Sequence, residues 1–300
     1  MSQHTPPLAP QALLPTMYDL PSEDPEDSGL PDEFHLLQPE LLRLTFQPST
    51  YSAEEIFAAS DLNLYYDPRH PQWYKRPDWF GVVGVPRLYD GEELRLSYVM
   101  WQEGVTPLAV VELASPGTED EDLGRRLRSV DRPPNKWTVY EQILRVPYYF
   151  LFNRYTDEFQ AFGLVMTQYQ PLDLGTQGVW LPEVGLGLGL WFGRYQGIER
   201  QWLRWYDEGG RWLPTPAEAE FARAEQEKQR AEAEKFRAEQ EKFRAEQEKQ
   251  RADRAKFQAD QERQRAEQEK LRAEQEKQRA DLAEQENAKL RERLRSLGID

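Results

Sequence analysis

The chain has 300 residues, a formal net charge of −15 and no cysteine, which rules out disulfides and thiolate metal centres. Only His4, His35 and His70 offer imidazole, so any metal is expected to sit on oxygen ligands, favouring Mg²⁺ or Mn²⁺ over zinc. The negative excess argues against a nucleic-acid binder relying on bulk attraction, because phosphate contacts need Lys and Arg, but a local basic path stays open.

In chain order, residues 1–34 are rich in Pro, Ser and acids and poor in apolar side chains, so they read as a disordered leader. The start MSQHTPPLAP lacks the basic-then-apolar pattern of a signal peptide, and no apolar stretch approaches membrane-spanning length. A cytoplasmic protein with no membrane partner is the expectation. His35 to Phe46 carries a weak helical apolar pattern. Ser52 and Glu55 then have capping-box spacing, and Tyr51 with Ile56 that of a hydrophobic staple, which predicts a short helix ending near Asp61. Glu54 and Glu55 read as its solvated face rather than as metal ligands. Leu62 to Tyr66 is a short strand candidate, followed by the loop DPRHPQWYKRP, in which His70 is a surface residue.

Asp78 to Val85 (DWFGVVGV), between Pro77 and Pro86, predicts a strand with Asp78, Phe80 and Val82 on one face. LRLSYVMW is a further strand candidate. Leu108 to Leu113 (LAVVEL) is apolar on both faces, as in a buried central strand, with Glu112 the exception. A carboxylate there is costly unless paired, hydrogen-bonded or bound to a cation. The long polar loop Ser115 to Pro134, with a short helical piece at its centre, leads to a helix over Lys136 to Leu144. Trp137, Tyr140, Ile143 and Leu144 form its buried face, and Lys136 borders that face. The lysine stem can lie against the sheet while its amine reaches the strand ends. Val146 to Phe152 is an aromatic strand that a turn at Arg154 to Asp157 joins to Phe159–Tyr169. Val179–Leu181 and Trp202–Tyr206 are further strands, the latter turning into Arg211–Leu213. The run GLGLGLW from Gly185 lacks the Lys-Ser/Thr ending of a phosphate loop and the dinucleotide spacing, so it reads as a glycine-alternating strand or turn.

Pro214 and Pro216 close this head, giving an expected folded region over residues 35–213. From Arg223 the chain repeats every seven residues (RAEQEKQ, RAEAEKF, RAEQEKF and onward). Basic and acidic residues nearly balance in this tail, so the negative excess sits in the first two thirds. Pairs such as Arg223–Glu227 and Lys228–Glu232 each add a few tenths of a kcal/mol to a helix predicted over residues 217–297, on the order of 120 Å long. Phe236, Phe243, Phe257 and Leu271 share one heptad position, interrupted by Gln, and the other core position is mostly Gln. Only the end (Leu282, Leu290, Leu294, Leu297) is richer in Leu. A weak coiled coil, with a homodimer as its product, and a lone salt-bridged helix both stay open.

Asp78, Glu112 and Lys136 make two carboxylates and one amine on neighbouring elements, the minimal kit for metal-assisted cleavage of a phosphodiester. A divalent ion polarises the phosphoryl oxygen and lowers the pKa of an attacking water, and Mg²⁺ typically takes one or two protein carboxylates. Lys136 would orient the water and stabilise charge at phosphorus. Each residue also has an ordinary role open to it: Asp78 as a strand start, Glu112 as an arginine's partner, Lys136 as a first-turn residue.

The segments RPDWF, VVELASPGT, EDLG and KWTVYEQILRVPYYFLF resemble the Uma-two family of bacterial, especially cyanobacterial, endonucleases. That family is similar to the PD-(D/E)XK, restriction-endonuclease-like nucleases. The resemblance runs from about Tyr51 to Trp191, and tails with charged heptads occur in some members. It implies an α/β fold, a restriction-endonuclease-like mixed β-sheet flanked by helices, followed by a long C-terminal α-helix. It places Asp78 at the aspartate of the PD motif and Glu112 at the second acid. The usual lysine place, two residues on, holds Ala114, and Lys136 with Tyr140 matches the family's K-x-x-x-Y helix as a migrated lysine. The implied activity is Mg²⁺- or Mn²⁺-dependent cleavage of DNA, with Asp78 and Glu112 on the metal. The rival is a non-catalytic scaffold that assembles through the helix, and a third reading is hydrolysis of a smaller phosphate ester.

Overall fold

Helix α1 (Phe34–Thr45) is the first helix among the described residues of a computed structural model, which are 14–20, 32–114, 122–125 and 132–296. It buries Phe34, Leu41 and Leu42 but also Gln38 and Thr45, whose polar atoms are satisfied by backbone. Gln38 Nε2 donates to Leu203 O at 2.9 Å while its Oε1 accepts from Leu203 N–H at 2.8 Å. Before α1, within the leader expected to be disordered, Met17 is buried against Tyr65 and Val99, and Trp101 Nε1 donates to Pro15 O at 2.8 Å. Apolar Pro15, Met17 and Leu20 supply what the acidic stretch around them lacks. The rest of that leader, residues 1–13 and 21–31, lies outside the described residues, as does most of the polar loop from Ser115 to Pro134; of the helical piece expected near its centre only residues 122–125 are described.

At Ser52 the Glu55 carboxylate does reach back, accepting from the Ser52 hydroxyl (2.9 Å) and amide (3.4 Å). The expected helix to Asp61 does not form. One 3₁₀ turn, Ala53–Glu55, gives way to strand β1 (Ile56–Ala59), which pairs along β4 (Trp79–Val83) and buries Phe57 against Phe80 and Tyr98. Sheet pairing and aromatic burial, both non-local, outweigh a local cap. Between them lie β2 (Leu64–Tyr65) and β3 (Tyr74–Lys75), and after β4 come β5 (Tyr98–Val99), the one-turn α2 (Met100–Glu103) and β6 (Ala109–Ala114).

Helix α3 begins as a single α-turn (Lys136–Thr138) and widens into a π-turn (Val139–Ile143), with Leu144 N–H bonded to Val139 O at 2.8 Å. The extra residue per turn rotates the expected buried face. Val139 is buried in place of Ile143, which is 42% exposed. Strands β7 (Tyr148–Asn153), β8 (Glu158–Val165), β9 (Gln168–Pro171), β10 (Val179–Leu181), β11 (Leu186–Tyr195) and β12 (Ile198–Tyr206) complete the head, and α4 (Pro216–Ser296) follows.

The main sheet is mixed, with order β1-β4-β6-β7-β8-β9, antiparallel at every junction except the parallel β6–β7 pair. A second, antiparallel sheet is ordered β10-β11-β12, and a small third one β3-β2-β5. Alternation along β6 serves two cores. Ala109, Val111 and Leu113 face α1 and the second sheet, whereas Val110 faces the core that contains Val139, Tyr140 and Leu144 of α3. Glu112 follows Val110 by two residues and so shares the α3 side.

The glycine-alternating run is β11, and its glycines are set by close approach. A Cβ at Gly189 would lie 1.9 Å from Gln177 O, and one at Gly187 1.9 Å from the Tyr206 ring. A backbone carbonyl cannot swing aside as a side chain can. Gly189→Ala is therefore expected to cost about 2 kcal/mol, read as a lowered thermal midpoint, and an unchanged midpoint would contradict this packing.

The contacts divide the chain into two units, Met1–Glu220 and Phe221–Asp300. In the first, α4 starts on a capping box: Glu218 N–H donates to Thr215 Oγ1 (3.3 Å) and Glu218 Oε2 accepts from Thr215 N–H (2.8 Å). Buried Arg204 bonds Leu213 O and the Glu218 carboxylate there. Among the described residues, the second unit is the remainder of the 81-residue helix, none of it buried. Leu297, the last leucine of the expected tail, lies outside the described residues. Among the described residues no helix is long and apolar enough to cross a membrane.

Candidate active site

Trp79 of β4 stands opposite Val111 of β6, so one step further the antiparallel register sets Asp78 opposite Glu112. Asp78 Oδ2 accepts from Leu113 N–H at 2.6 Å, and Asp78 N–H points to Glu112 Oε2 at 3.4 Å. Glu112 is wholly buried. Its two oxygens are met by one helix: Lys136 Nζ reaches Oε2 at 2.9 Å, and the Tyr140 hydroxyl donates to Oε1 at 2.8 Å. Residues four apart on a helix share a face, so α3 presents an ammonium and a phenol together. Asn135 fixes the start of that helix, its Oδ1 accepting from Thr138 N–H at 2.8 Å. Thus Asp78, Glu112 and Lys136 converge.

Two further residues join them. Asp122 is buried, with Oδ1 3.0 Å from Lys136 Nζ, so the ammonium is held between two acids. His35, on α1, sets Nε2 3.3 Å from Leu113 O and Nδ1 3.0 Å from Asp32 Oδ1, which ties α1 to the peptide following Glu112. A concave pocket lined by Ala114, Asp122, Arg125, Leu151, Asn153 and Gln160, among others, borders the acids. Ala114, two residues beyond Glu112 on β6, adds only a methyl group to its wall.

Three carboxylates around one ammonium leave an uncompensated negative excess in a buried place. Burial pushes the Glu112 carboxyl up to about 7, with Asp78 adding to the push and Lys136 opposing it. Asp78 is also raised by burial, against the pull of Lys136 and of the Leu113 N–H. For Lys136 burial works downward, but Glu112, Asp122 and Asp78 outweigh it, so the amine keeps its proton well beyond the usual range. Burial and the Glu112 charge raise Tyr140 far above the ordinary phenol value, so it remains a donor.

This donor set suits a hard cation. Among the described residues no group of three or more His, Cys, Asp or Glu is arranged to hold a metal ion, so a closed protein cage is absent there. Mg²⁺ needs only one or two protein carboxylates, with water and substrate completing its shell. Asp78 and Glu112 can provide that pair, and the charge excess would be relieved by a divalent cation. The residues fit an open, two-carboxylate site.

The Uma2 family model, described as "Putative restriction endonuclease", matches residues 17–194. The chain belongs to the Uma2 family. The Uma2 region contains every residue of the site above, and at the level of the family the chain is a nuclease by description. No curated protein matches the chain. Among solved structures, a "putative nuclease belonging to DUF820" from Anabaena variabilis ATCC 29413 is similar at 12% identity and a TM-score of 0.35, covering 52% of this chain and 76% of that one. Within the Uma2 region, the sequence reading assigned no role to Asp122 or His35. Asp122 sits in the EDLG segment, a signal that lacked a partner until Lys136 was seen beside it. His35 had no comparable signal, since it meets the site only through the Leu113 carbonyl.

Proposed function

We propose that this Uma2 protein is a divalent-metal-dependent endonuclease cleaving DNA phosphodiesters, with Asp78 and Glu112 holding Mg²⁺ or Mn²⁺ and Lys136 acting on water and phosphate. The observation that carries the reading is the placement of Lys136 Nζ between Glu112 and Asp122, next to Asp78. A merely structural ion pair needs one acid, whereas three acids around one amine ask for a further cation. Such an ion, once bound, would polarise the scissile phosphoryl oxygen and lower the pKa of the attacking water.

The remaining work falls to the chain. Lys136, kept protonated by its acids, offers an N–H to the water or to the oxygen on which charge develops. Asp122 and Tyr140 are positioning residues, the first aiming the ammonium and the second fixing the rotamer of Glu112. Arg125, in the bordering pocket, supplies local positive charge on an otherwise acidic head. Tyr140→Phe is expected to slow single-turnover cleavage about tenfold and to cost on the order of 1 kcal/mol, since one oxygen of a buried carboxylate loses its donor. A variant cleaving at the parent rate would remove Tyr140 from the machinery.

The test is nicking of supercoiled plasmid with Mg²⁺, with Mn²⁺ and with chelator, by the parent chain and by Glu112→Ala and Lys136→Ala. Cleavage that survives both substitutions overturns the assignment. The acidic head and the fully exposed tail favour a second reading, a scaffold that retains the nuclease fold. Absence of nicking together with no calorimetric uptake of Mn²⁺ would select it.

A further inference from the structure

Helix α4 buries none of its residues, and among the described residues no charged side chain from 221 to 296 is ion-paired. Most helices in proteins owe their stability to packing of an apolar face, which this one lacks within its own chain. Between residues 230 and 279 its exposed aromatic and leucine side chains, Phe236, Phe243, Phe257 and Leu271, all fall at one heptad position. With these at d, the a position holds Gln in most repeats, and the flanking positions sort by charge. Position e is Arg in every repeat from Arg230 to Arg279 except at Gln258, and position g is Glu or Asp in every repeat from Glu232 to Asp281.

We propose that α4 pairs with α4 of a second copy of this chain as a parallel, in-register two-stranded coiled coil. In a parallel pair, g of one repeat faces e of the partner's next repeat, so Glu232, Glu239 and Glu246 meet Arg237, Arg244 and Arg251 of the second copy. In an antiparallel pair e faces e and g faces g, setting Arg on Arg and acid on acid throughout. Orientation is thus selected by repulsion in the alternative as much as by attraction in the favoured form.

Charge alone would tolerate a slip of one heptad, because the e and g pattern repeats. The d position does not. From residue 236 to 278 it reads Phe, Phe, Gln, Phe, Gln, Leu, Gln, and only zero slip sets every Phe on Phe and every Gln on Gln. A slip of seven residues would bury Phe243 against Gln250 of the partner, stranding an amide against a ring. The Gln layers weaken the seam while fixing its register. The proposal is independent of the cleavage reading.

The chain has no cysteine, which makes the geometry directly testable. Sedimentation equilibrium of the full chain is expected to give twice the 35.3 kDa monomer mass. Phe236→Cys should form a disulfide-linked dimer under mild oxidation, since only a parallel in-register pair brings the two copies of position 236 together. Arg237→Glu/Arg244→Glu/Arg251→Glu should sediment as a monomer. Mixing it with Glu232→Arg/Glu239→Arg/Glu246→Arg should restore the doubled mass as a heterodimer. Monomeric mass for the parent chain at all concentrations overturns pairing. Doubled mass with no linkage at position 236, or charge variants that dimerise unaided, overturns the parallel register.

Discussion

Lys136→Met is expected to lower the single-turnover nicking rate by about a thousandfold, the scale on which a preorganised donor to developing charge acts. Methionine keeps the length of the stem and removes only the ammonium, so the helix and the place of Tyr140 persist. The loss extends to stability. Lys136 is the cation shared by Glu112 and Asp122 and felt by Asp78, and taking one partner from a buried ion pair costs about 3 kcal/mol when the other stays charged. Acid should relieve that cost as Glu112 takes up a proton. Lys136→Arg separates the two effects. It keeps the charge and should recover most of the stability, while its planar fork cannot replace a single ammonium donor, so cleavage stays impaired. Parent-rate nicking by Lys136→Met, in the presence of Mg²⁺ or Mn²⁺, would end the catalytic role given to this residue.

The second large effect is a pH dependence that runs against the usual carboxylate trend. Glu112 has an ordinary value of 4.5 and is pushed to about 7 in the folded chain. Below 4.5 both states carry the proton. Between those values the folded state holds a proton that the unfolded state has released, so stability falls as pH rises, by about 1.4 kcal/mol per pH unit. Across the window the loss from Glu112 is about 3 kcal/mol, and it is complete once pH has passed through 7. Asp78 shifts in the same direction and adds to it. Glu112→Gln keeps an acceptor for Lys136, while its amide can donate to the Tyr140 hydroxyl, yet it has no proton to lose. This variant should show a flatter profile in denaturant titrations with chelator present, and should exceed the parent in stability at pH 8. Added Mn²⁺ should restore the parent at that pH and leave the variant unmoved. Parallel profiles for the two proteins would contradict the assignment.

How much of this was legible in the sequence differed from residue to residue. β4 and β6 announced themselves as apolar runs bounded by proline or polar loop, and Glu112 stood out as the lone charge in its run. The position of Lys136 beside that face followed from helical spacing, and its grouping with Asp78 and Glu112 came from residue type on neighbouring elements, to which resemblance added the motif positions. Asp122 was hidden because a polar loop has no periodicity to say which of its many acids turns inward. The capping box at Ser52 was read correctly as local chemistry, but the conformation of Ile56–Ala59 is decided by β4, some two dozen residues on, which no local rule can see. The π-turn in α3 escaped for a related reason. A 3.6-residue period placed Ile143 inside, and the insertion that moves it out depends on packing, since it lets Tyr140 reach Glu112 and Val139 fill the core.

The grip of Gln38 on both backbone groups of Leu203 bears on something other than the interior. β12 is the outermost strand of its three-stranded sheet, and the open rim of such a sheet is a template on which foreign chains can lengthen it. A side-chain amide that mimics a neighbouring peptide occupies that rim near its middle, with α1 lying across it. Fibril-like growth is thereby denied to the head at this margin.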